Sequence, residues 1–189
     1  MTKFALSLGI CFVALLTSAQ TYNFGLNSFS FLNSMYSARS AGIGSNLITI
    51  SDNDVGLTVE NPSLLSEDHV RSIQLNQGLM PSGVQTGMLC YAFKSKYGIF
   101  SPVIKYQNYG KFNGTDELGN ATNTFTAIDY SVGMNFSHSV GKTIKVGLGL
   151  HLIGSHLEAY SSLGIHSIMG ATFNHPNQDF SASFVVKNI

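Results

Sequence analysis

A two-residue alternation of apolar and polar side chains is the clearest pattern in this chain, and it runs through residues 126–138 and 144–152. In both segments the even-numbered positions are large and apolar, while the odd-numbered positions are mostly small or polar. Because successive side chains of a β-strand point to opposite faces, this period predicts two strands with one apolar face each. The apolar positions are Ile128, Tyr130, Val132, Met134 and Phe136 in the first segment and Ile144, Val146, Leu148, Leu150 and Leu152 in the second.

Five further segments show the same alternation with less contrast, so seven strands are predicted in all. Residues 95–96, 139–141 and 175–178 form short connections, whereas residues 110–123 form one long polar loop. Outer-membrane β-barrels have short periplasmic turns and longer external loops. The additional strands are predicted at 70–78, 84–94, 97–109, 163–174 and 179–188, and Pro102 weakens the third because proline lacks the N–H of a strand ladder.

The amino-acid composition argues against several classes of protein. Only 11% of the 189 residues are charged, against about 25% in soluble domains, and 10 Lys and Arg balance 10 Asp and Glu. Zero net charge without a basic stripe argues against a nucleic-acid binder. Outside the N-terminus no apolar run approaches the roughly 20 residues of a spanning helix. The apolar content of 44% also argues against disorder.

The first 19 residues have the features of a secretory signal peptide. Lys3 supplies the positive charge, residues 4–16 are apolar, and Thr17, Ser18 and Ala19 form a small-residue cleavage site. The sequence therefore predicts an exported protein. Removal of residues 1–19 leaves Cys90 as the only cysteine, so no internal disulfide is expected.

These features predict an all-β fold: an antiparallel transmembrane β-barrel over residues 70–189, preceded by a plug-like or periplasmic segment over residues 20–69. Aromatic residues near strand ends, such as Tyr106 and Tyr130, and small polar residues on the opposite face favour the barrel. The even positions then face lipid, so arginine should be tolerated better at Ser131 than at Val132. A soluble β-sandwich is the alternative, since its half-buried strands also alternate.

Three stretches of the N-terminal segment resemble the signature of the FadL-like barrel superfamily: residues 37–44 (SARSAGIG), 51–54 (SDND) and 60–65 (ENPSLL). In that superfamily the corresponding region enters and plugs the barrel. Residues 22–24 (YNF), 106–112 (YQNYGKF), 116–120 (DELGN) and 129–130 (DY) resemble the PorQ family, outer-membrane components of the type IX secretion system of the Bacteroidota. The resemblance covers residues 22–189 and implies a FadL-like barrel.

The resemblance to the PorQ family implies a non-enzymatic protein of the cell outer membrane that anchors partners of the surface attachment complex. The implied partners are outer-membrane lipid, other attachment-complex proteins and lipopolysaccharide. The alternative within the superfamily is a passive transporter of hydrophobic small molecules. The polar 110–123 loop favours the anchor, and its candidate partner-contact residues are Lys111, Phe112, Asp116 and Glu117.

Members of the family close a complete barrel in a longer chain, whereas this sequence ends after seven predicted strands. An open sheet would expose unpaired backbone groups to lipid. We therefore expect this chain to be the N-terminal part of a barrel, either from a truncated gene model or from one half of a split gene.

Arg39 is the charged residue of most interest, because it lies among small residues in the segment expected against the barrel interior. An unpaired charge would be costly there. Asp129 points inward by strand parity and is its candidate partner in a plug-locking ion pair; the alternative is a solvated periplasmic arginine. No catalytic residue, cofactor site or metal site is predicted, and His151 and His156 lie on opposite strand faces.

Overall fold

The computed structural model describes residues 29–44, 47–115 and 118–188. Eight strands form one antiparallel sheet in the order β1-β2-β4-β5-β6-β7-β8, and the short β3 pairs with β4. Within the described residues no pairing joins β1 to β8. The prediction of an all-β, antiparallel fold is thus confirmed, whereas the predicted signal peptide lies outside the described residues. The strands are β1 (Ile73–Leu79), β2 (Gln85–Tyr91), β3 (Phe93–Ser95), β4 (Gly98–Thr115), β5 (Ala121–Val140), β6 (Ile144–Leu157), β7 (Tyr160–Asn174) and β8 (Ser181–Lys187).

The eighth strand arises because the predicted strand at 84–94 is divided into β2 and β3. Cys90 pairs with Val103 and Phe93 pairs with Phe100, so the register is the same on both sides of the break. By this register Pro102 lies opposite Tyr91, the last residue of β2, and it has no N–H to donate to the ladder. The backbone of Ala92 bonds instead to residues 71 and 72, just ahead of β1.

The predicted long loop is mostly strand, which corrects the expectation for residues 110–123. Between Asn108 and Gly110 the register shifts because β4 contains one extra residue, and between Asn113 and Thr115 it shifts because β5 contains one extra residue. A bulge reverses the parity of the following residues, which hid this part of the strand from the alternation pattern. β4 pairs with β2 only up to Asn108, and β5 pairs with β6 only from Ala127. Residues 110–115 and 121–126 therefore form a two-stranded ribbon that projects beyond the sheet.

The two faces of the sheet have an unusual distribution of polarity. On what we call the outer face, large apolar side chains are exposed; on the inner face, polar and charged side chains are buried. The alternation at β5 and β6 thus places its apolar residues outward, as the parity predicted. Outer-face residues include Val132, Met134, Leu148, Leu150, Leu152, Ile165, Met169 and Phe184, and buried inner-face residues include Lys105, Asp129, Ser131, Asn135, His151 and Thr172.

The inner face is covered by residues 29–44 and 47–69, which we call the inner segment. It contains α1 (Ala38–Ile43) and four 3-10 helices, at Ser30–Asn33, Val55–Val59, Pro62–Leu64 and Glu67–His69. The Asp54 side chain accepts a hydrogen bond from the N–H of Gly56, which caps one 3-10 helix. No helix in the described ranges is long and apolar enough to cross a bilayer.

An apolar core joins the inner segment to one side of the sheet. Phe31, Val55 and Leu65 of the segment belong to the same buried cluster as Cys90 of β2 and Val103 of β4. Burial of these side chains contributes stability in proportion to the apolar area removed from water. The remaining contact with the sheet is largely polar and forms the candidate site.

Candidate functional site

Asn61 is the centre of the polar contact between the inner segment and the sheet. Its side-chain oxygen accepts hydrogen bonds from the Ser63 N–H at 3.1 Å and from the Ser63 hydroxyl at 2.7 Å. Its nitrogen donates to the Ile48 carbonyl oxygen at 2.7 Å and to Thr172 Oγ1 on β7 at 3.2 Å. Asn61 and Ser63 have no exposed surface. The asparagine thus caps the Pro62–Leu64 helix and fixes it to the sheet.

Two glycines of the sheet make room for this helix. A Cβ atom at Gly147 of β6 would overlap the backbone of Pro62 and Ser63, and one at Gly170 of β7 would overlap the side chain of Asn61. The sequence pattern showed Gly147 as a small residue on the inner face. It did not show that another part of the chain occupies the space.

Successive inward positions of β4 contact the start of the inner segment. Gln107 Oε1 accepts a hydrogen bond from the Ser34 hydroxyl at 2.9 Å. Lys105 is 2% exposed, and its Nζ lies 5.3 Å from the centre of the Tyr36 ring. Attraction between an ammonium group and an aromatic face is stronger away from water.

An ion pair also connects the inner segment to the last strand. Lys187 of β8 donates to the Glu60 carboxylate, whose side chain is almost fully buried. Because Glu60 lies directly before Asn61, the segment is fixed to β7 and β8 at adjacent residues.

Two histidines and an asparagine lie side by side on the inner face. His151 Nε2 is 2.9 Å from Asn135 Oδ1, and the Asn135 nitrogen donates to the Thr58 carbonyl oxygen at 3.1 Å. The His151 and His166 ring centres are 5.8 Å apart. Among the described residues no group of three or more His, Cys, Asp or Glu side chains could hold a metal ion.

Arg39 pairs with a different carboxylate from the predicted one. Its guanidinium bonds to Asp52 and lies 3.8 Å from Asp54. Arg39 and Asp129 both belong to the described residues, and they form no ion pair with each other. Burial alone would raise the pKa of Asp52, but the hydrogen bonds from Arg39 and from the Asp54 N–H, together with the charge of Arg39, hold that pKa below its usual value. The Arg39 pair therefore stabilises a turn within the inner segment.

His69 connects this turn to the start of the sheet. Its Nδ1 accepts a hydrogen bond from the Ser66 N–H at 3.0 Å, and its Nε2 lies 2.7 Å from the Asp52 carbonyl oxygen, to which it donates. The two bonds together require the neutral ring with its proton on Nε2. Burial is the main cause that lowers the pKa of His69 from its ordinary value.

Asp129 and Phe112, predicted for different roles, share one cavity at the base of the ribbon. The cavity has a volume of about 500 Å³. The Tyr109 hydroxyl donates to Asp129 at 2.7 Å, and the Phe112 and Phe125 rings stack at 5.4 Å. The lining is otherwise mainly apolar and includes Phe29, Ala127 and Leu157.

The four candidate partner-contact residues are divided by the structure. Lys111 and Phe112 lie on β4 rather than in a loop, and adjacent strand positions place them on opposite faces of the ribbon. Asp116 and Glu117 lie outside the described residues. The ribbon with Lys111 and Phe112 is thus the part of the predicted contact region that the structure describes.

Comparison of the chain with protein-family models, with curated proteins and with solved structures gave no match.

Proposed function

We propose that this chain is a non-enzymatic outer-membrane protein whose outer face contacts lipid. The observation that carries the proposal is the exposed apolar face of β5, β6 and β7, opposite a buried polar face. A continuous apolar patch of this extent in water would drive aggregation or association. Transmembrane β-barrels have this arrangement, with apolar side chains toward lipid and polar side chains inside. A soluble sandwich would require a second sheet over the outer face.

The resemblance to the PorQ family supports a more specific role, that of a type IX secretion component anchoring partners of the surface attachment complex. The interlocked contacts of Asn61, Glu60 and Lys187 support a filled interior, as an anchor would have. The projecting ribbon supports a contact site, because an isolated two-stranded ribbon is at best marginally stable in water and gains stability from a docked partner.

A passive transporter of hydrophobic molecules is the second candidate, and the cavity at the base of the ribbon favours it. Phe29, Phe112 and Phe125 give this cavity an aromatic lining, as a site for a hydrophobic ligand requires. In a transporter the inner segment would have to move away from Gly147 and Gly170.

A matched pair of substitutions in the full chain distinguishes the two roles. Phe112 lies on the ribbon and is 41% exposed; Phe180 is 57% exposed and follows β7 at the opposite end of the strands. In a bacterium with a type IX system, we expect Phe112→Ala to release attachment-complex proteins from the outer membrane into the medium. We expect Phe180→Ala to retain them.

Uptake of a labelled fatty acid provides the second measurement. An anchor predicts unchanged uptake in both variants. Full retention of the attachment proteins with reduced uptake in Phe112→Ala would contradict the anchor and support the transporter.

A further inference from the structure

The outer face carries an apolar groove at the end of the sheet where short turns join β3 to β4 and β5 to β6, which we call the short-turn end. The groove has a volume of about 380 Å³ and lies across β4, β5 and β6. No charged side chain lines it, and its width across three strands is enough for an extended hydrocarbon chain. Its lining residues are Tyr97, Phe100, Met134, Phe136, Leu148 and Leu150.

An aromatic row forms part of the groove and continues beyond it. The Phe100 ring lies 4.7 Å from that of Phe136 and 5.8 Å from that of Phe93. Strand register explains the row, because Phe100 pairs directly with Phe93 on one side and with Phe136 on the other. In membrane proteins, aromatic rows of this kind lie at the level of the lipid headgroups.

A lysine lies at the rim of the groove. Lys96 Nζ is 4.8 Å from the centre of the Tyr97 ring, and the Tyr97 backbone oxygen lies 3.0 Å from His138 Nδ1. The next short turn, between β5 and β6, contains Lys142. Lys94 is paired with Glu67 at 2.8 Å, whereas in the described part of the chain Lys96 and Lys142 form no ion pair. Positive charge is thus available where the apolar groove ends.

We propose that this groove binds an anionic phospholipid from the leaflet at the short-turn end. One acyl chain lies along Phe100, Phe136 and Leu148, and the headgroup phosphate pairs with Lys96, with Lys142 adding to the attraction. A neutral occupant would leave the charge at the rim uncompensated, so charge complementarity selects the anionic lipid. The site rests on the proposed membrane location, but it assigns a lipid class and a position that membrane insertion alone does not require.

The chain contains no tryptophan, so one introduced tryptophan is a unique fluorescent reporter. We place it in the groove with Met134→Trp, and with Leu148→Trp as a second reporter in case the first perturbs folding. The control is Leu163→Trp, at an outer-face position of β7 toward the opposite end that is 80% exposed. Each full-length variant is reconstituted in phosphatidylcholine vesicles that contain a small, equal fraction of brominated phosphatidylglycerol or brominated phosphatidylcholine, since bromine quenches nearby tryptophan.

We expect the brominated phosphatidylglycerol to be enriched about fivefold at the groove reporters, which is the contribution expected from one lysine near anionic lipid. The enrichment should fall when Lys96→Gln is added to either groove reporter, and it should disappear when Lys142→Gln is added as well. At the Leu163→Trp reporter the two lipids should quench equally.

The outcomes separate the two proposals. Equal quenching by both lipids at the groove reporters would overturn the anionic lipid site and leave the membrane location intact. An absence of quenching by either lipid at all three reporters would contradict the membrane location itself.

Discussion

The outer and inner faces of the same strands differ in which side chains are buried: apolar side chains are exposed on the outer face, and polar side chains are buried on the inner face. On β6, Leu150 is 53% exposed although it is apolar, and the neighbouring His151 is buried although it is polar. In a soluble protein the apolar positions of a strand form the core. Here the apolar positions of the outer face remain exposed, with no segment of the described chain covering them, whereas the inner segment covers the polar positions.

The difference shows which interactions fix each face. The inner face is specified by hydrogen bonds and close approach, such as Asn61 to Thr172 and Gly147 beside Ser63. The outer face is specified by its apolarity, and at the proposed membrane location lipid would satisfy it without directional contacts. Substitutions on the two faces should therefore destabilise the protein for different reasons.

The largest effect is expected from a charge on the outer face. Leu150→Arg should reduce the free energy of unfolding in lipid vesicles by about 2 to 4 kcal/mol, because the charge lies near the middle of the apolar band. Ile144→Arg, at the first residue of β6, is the control and should cost about 0 to 1 kcal/mol, because it lies near the interface. Urea titration of both variants in vesicles measures the difference.

If the outer face were in water, arginine at exposed Leu150 would change stability by no more than about 0.5 kcal/mol. Equal small effects at both positions would therefore contradict the membrane location. The structure also changes the expectation for Ser131→Arg. Ser131 has no exposed surface and lies 3.5 Å from His151 Nδ1, so arginine there meets packed protein and not an open lumen.

A smaller loss of stability is expected when a side chain is added at a glycine of the sheet that lies against the inner segment. Gly147→Ala should cost about 1 to 3 kcal/mol, since its Cβ would overlap backbone atoms that have little freedom to move. Gly42→Ala is the matched control. Gly42 lies in α1 with open space at its Cβ position, so alanine should be neutral or stabilise by up to about 1 kcal/mol.

Unfolding of both glycine variants, together with the rate of proteolysis within residues 29–69, measures this effect. If Gly147→Ala were as stable and as protease-resistant as Gly42→Ala, the inner segment would not be seated against β6 in solution.

The smallest effect is expected from the protonation of His69. Its pKa in the folded protein lies below the value of about 6.5 for the unfolded chain, so the unfolded chain takes up the proton first as pH falls. The stability that neutral His69 contributes is complete above this value and is lost as pH falls through the folded pKa. Protonation of Nδ1 removes its acceptor role toward the Ser66 N–H.

Thermal unfolding above and below pH 6.5 measures this loss. His69→Gln should have a weaker pH dependence than the original chain, and the difference between the two isolates His69 from the other histidines. Identical pH profiles would show that His69 does not couple protonation to the seating of the inner segment.

The sequence by itself determined the strands and their faces. A strict period of two over residues 126–138 and 144–152 can be satisfied only by extended chain, so β5, β6 and the outward side of each could be predicted. The pattern lost accuracy where one residue breaks the ladder. The bulge after Asn108 hid the ribbon, and Pro102 divided one predicted strand in two.

Only the tertiary structure decided what the inner face contacts. Parity correctly turned Asp129 inward, but it could not choose among Asp52, Asp54 and Asp129 as the partner of Arg39, because pairing depends on distances that a sequence does not contain. The same holds for Gly147, whose lack of a side chain is visible in the sequence, while the backbone of Ser63 that fills the space is not. Local periodicity fixes which way a side chain points; packing between distant segments fixes what it meets.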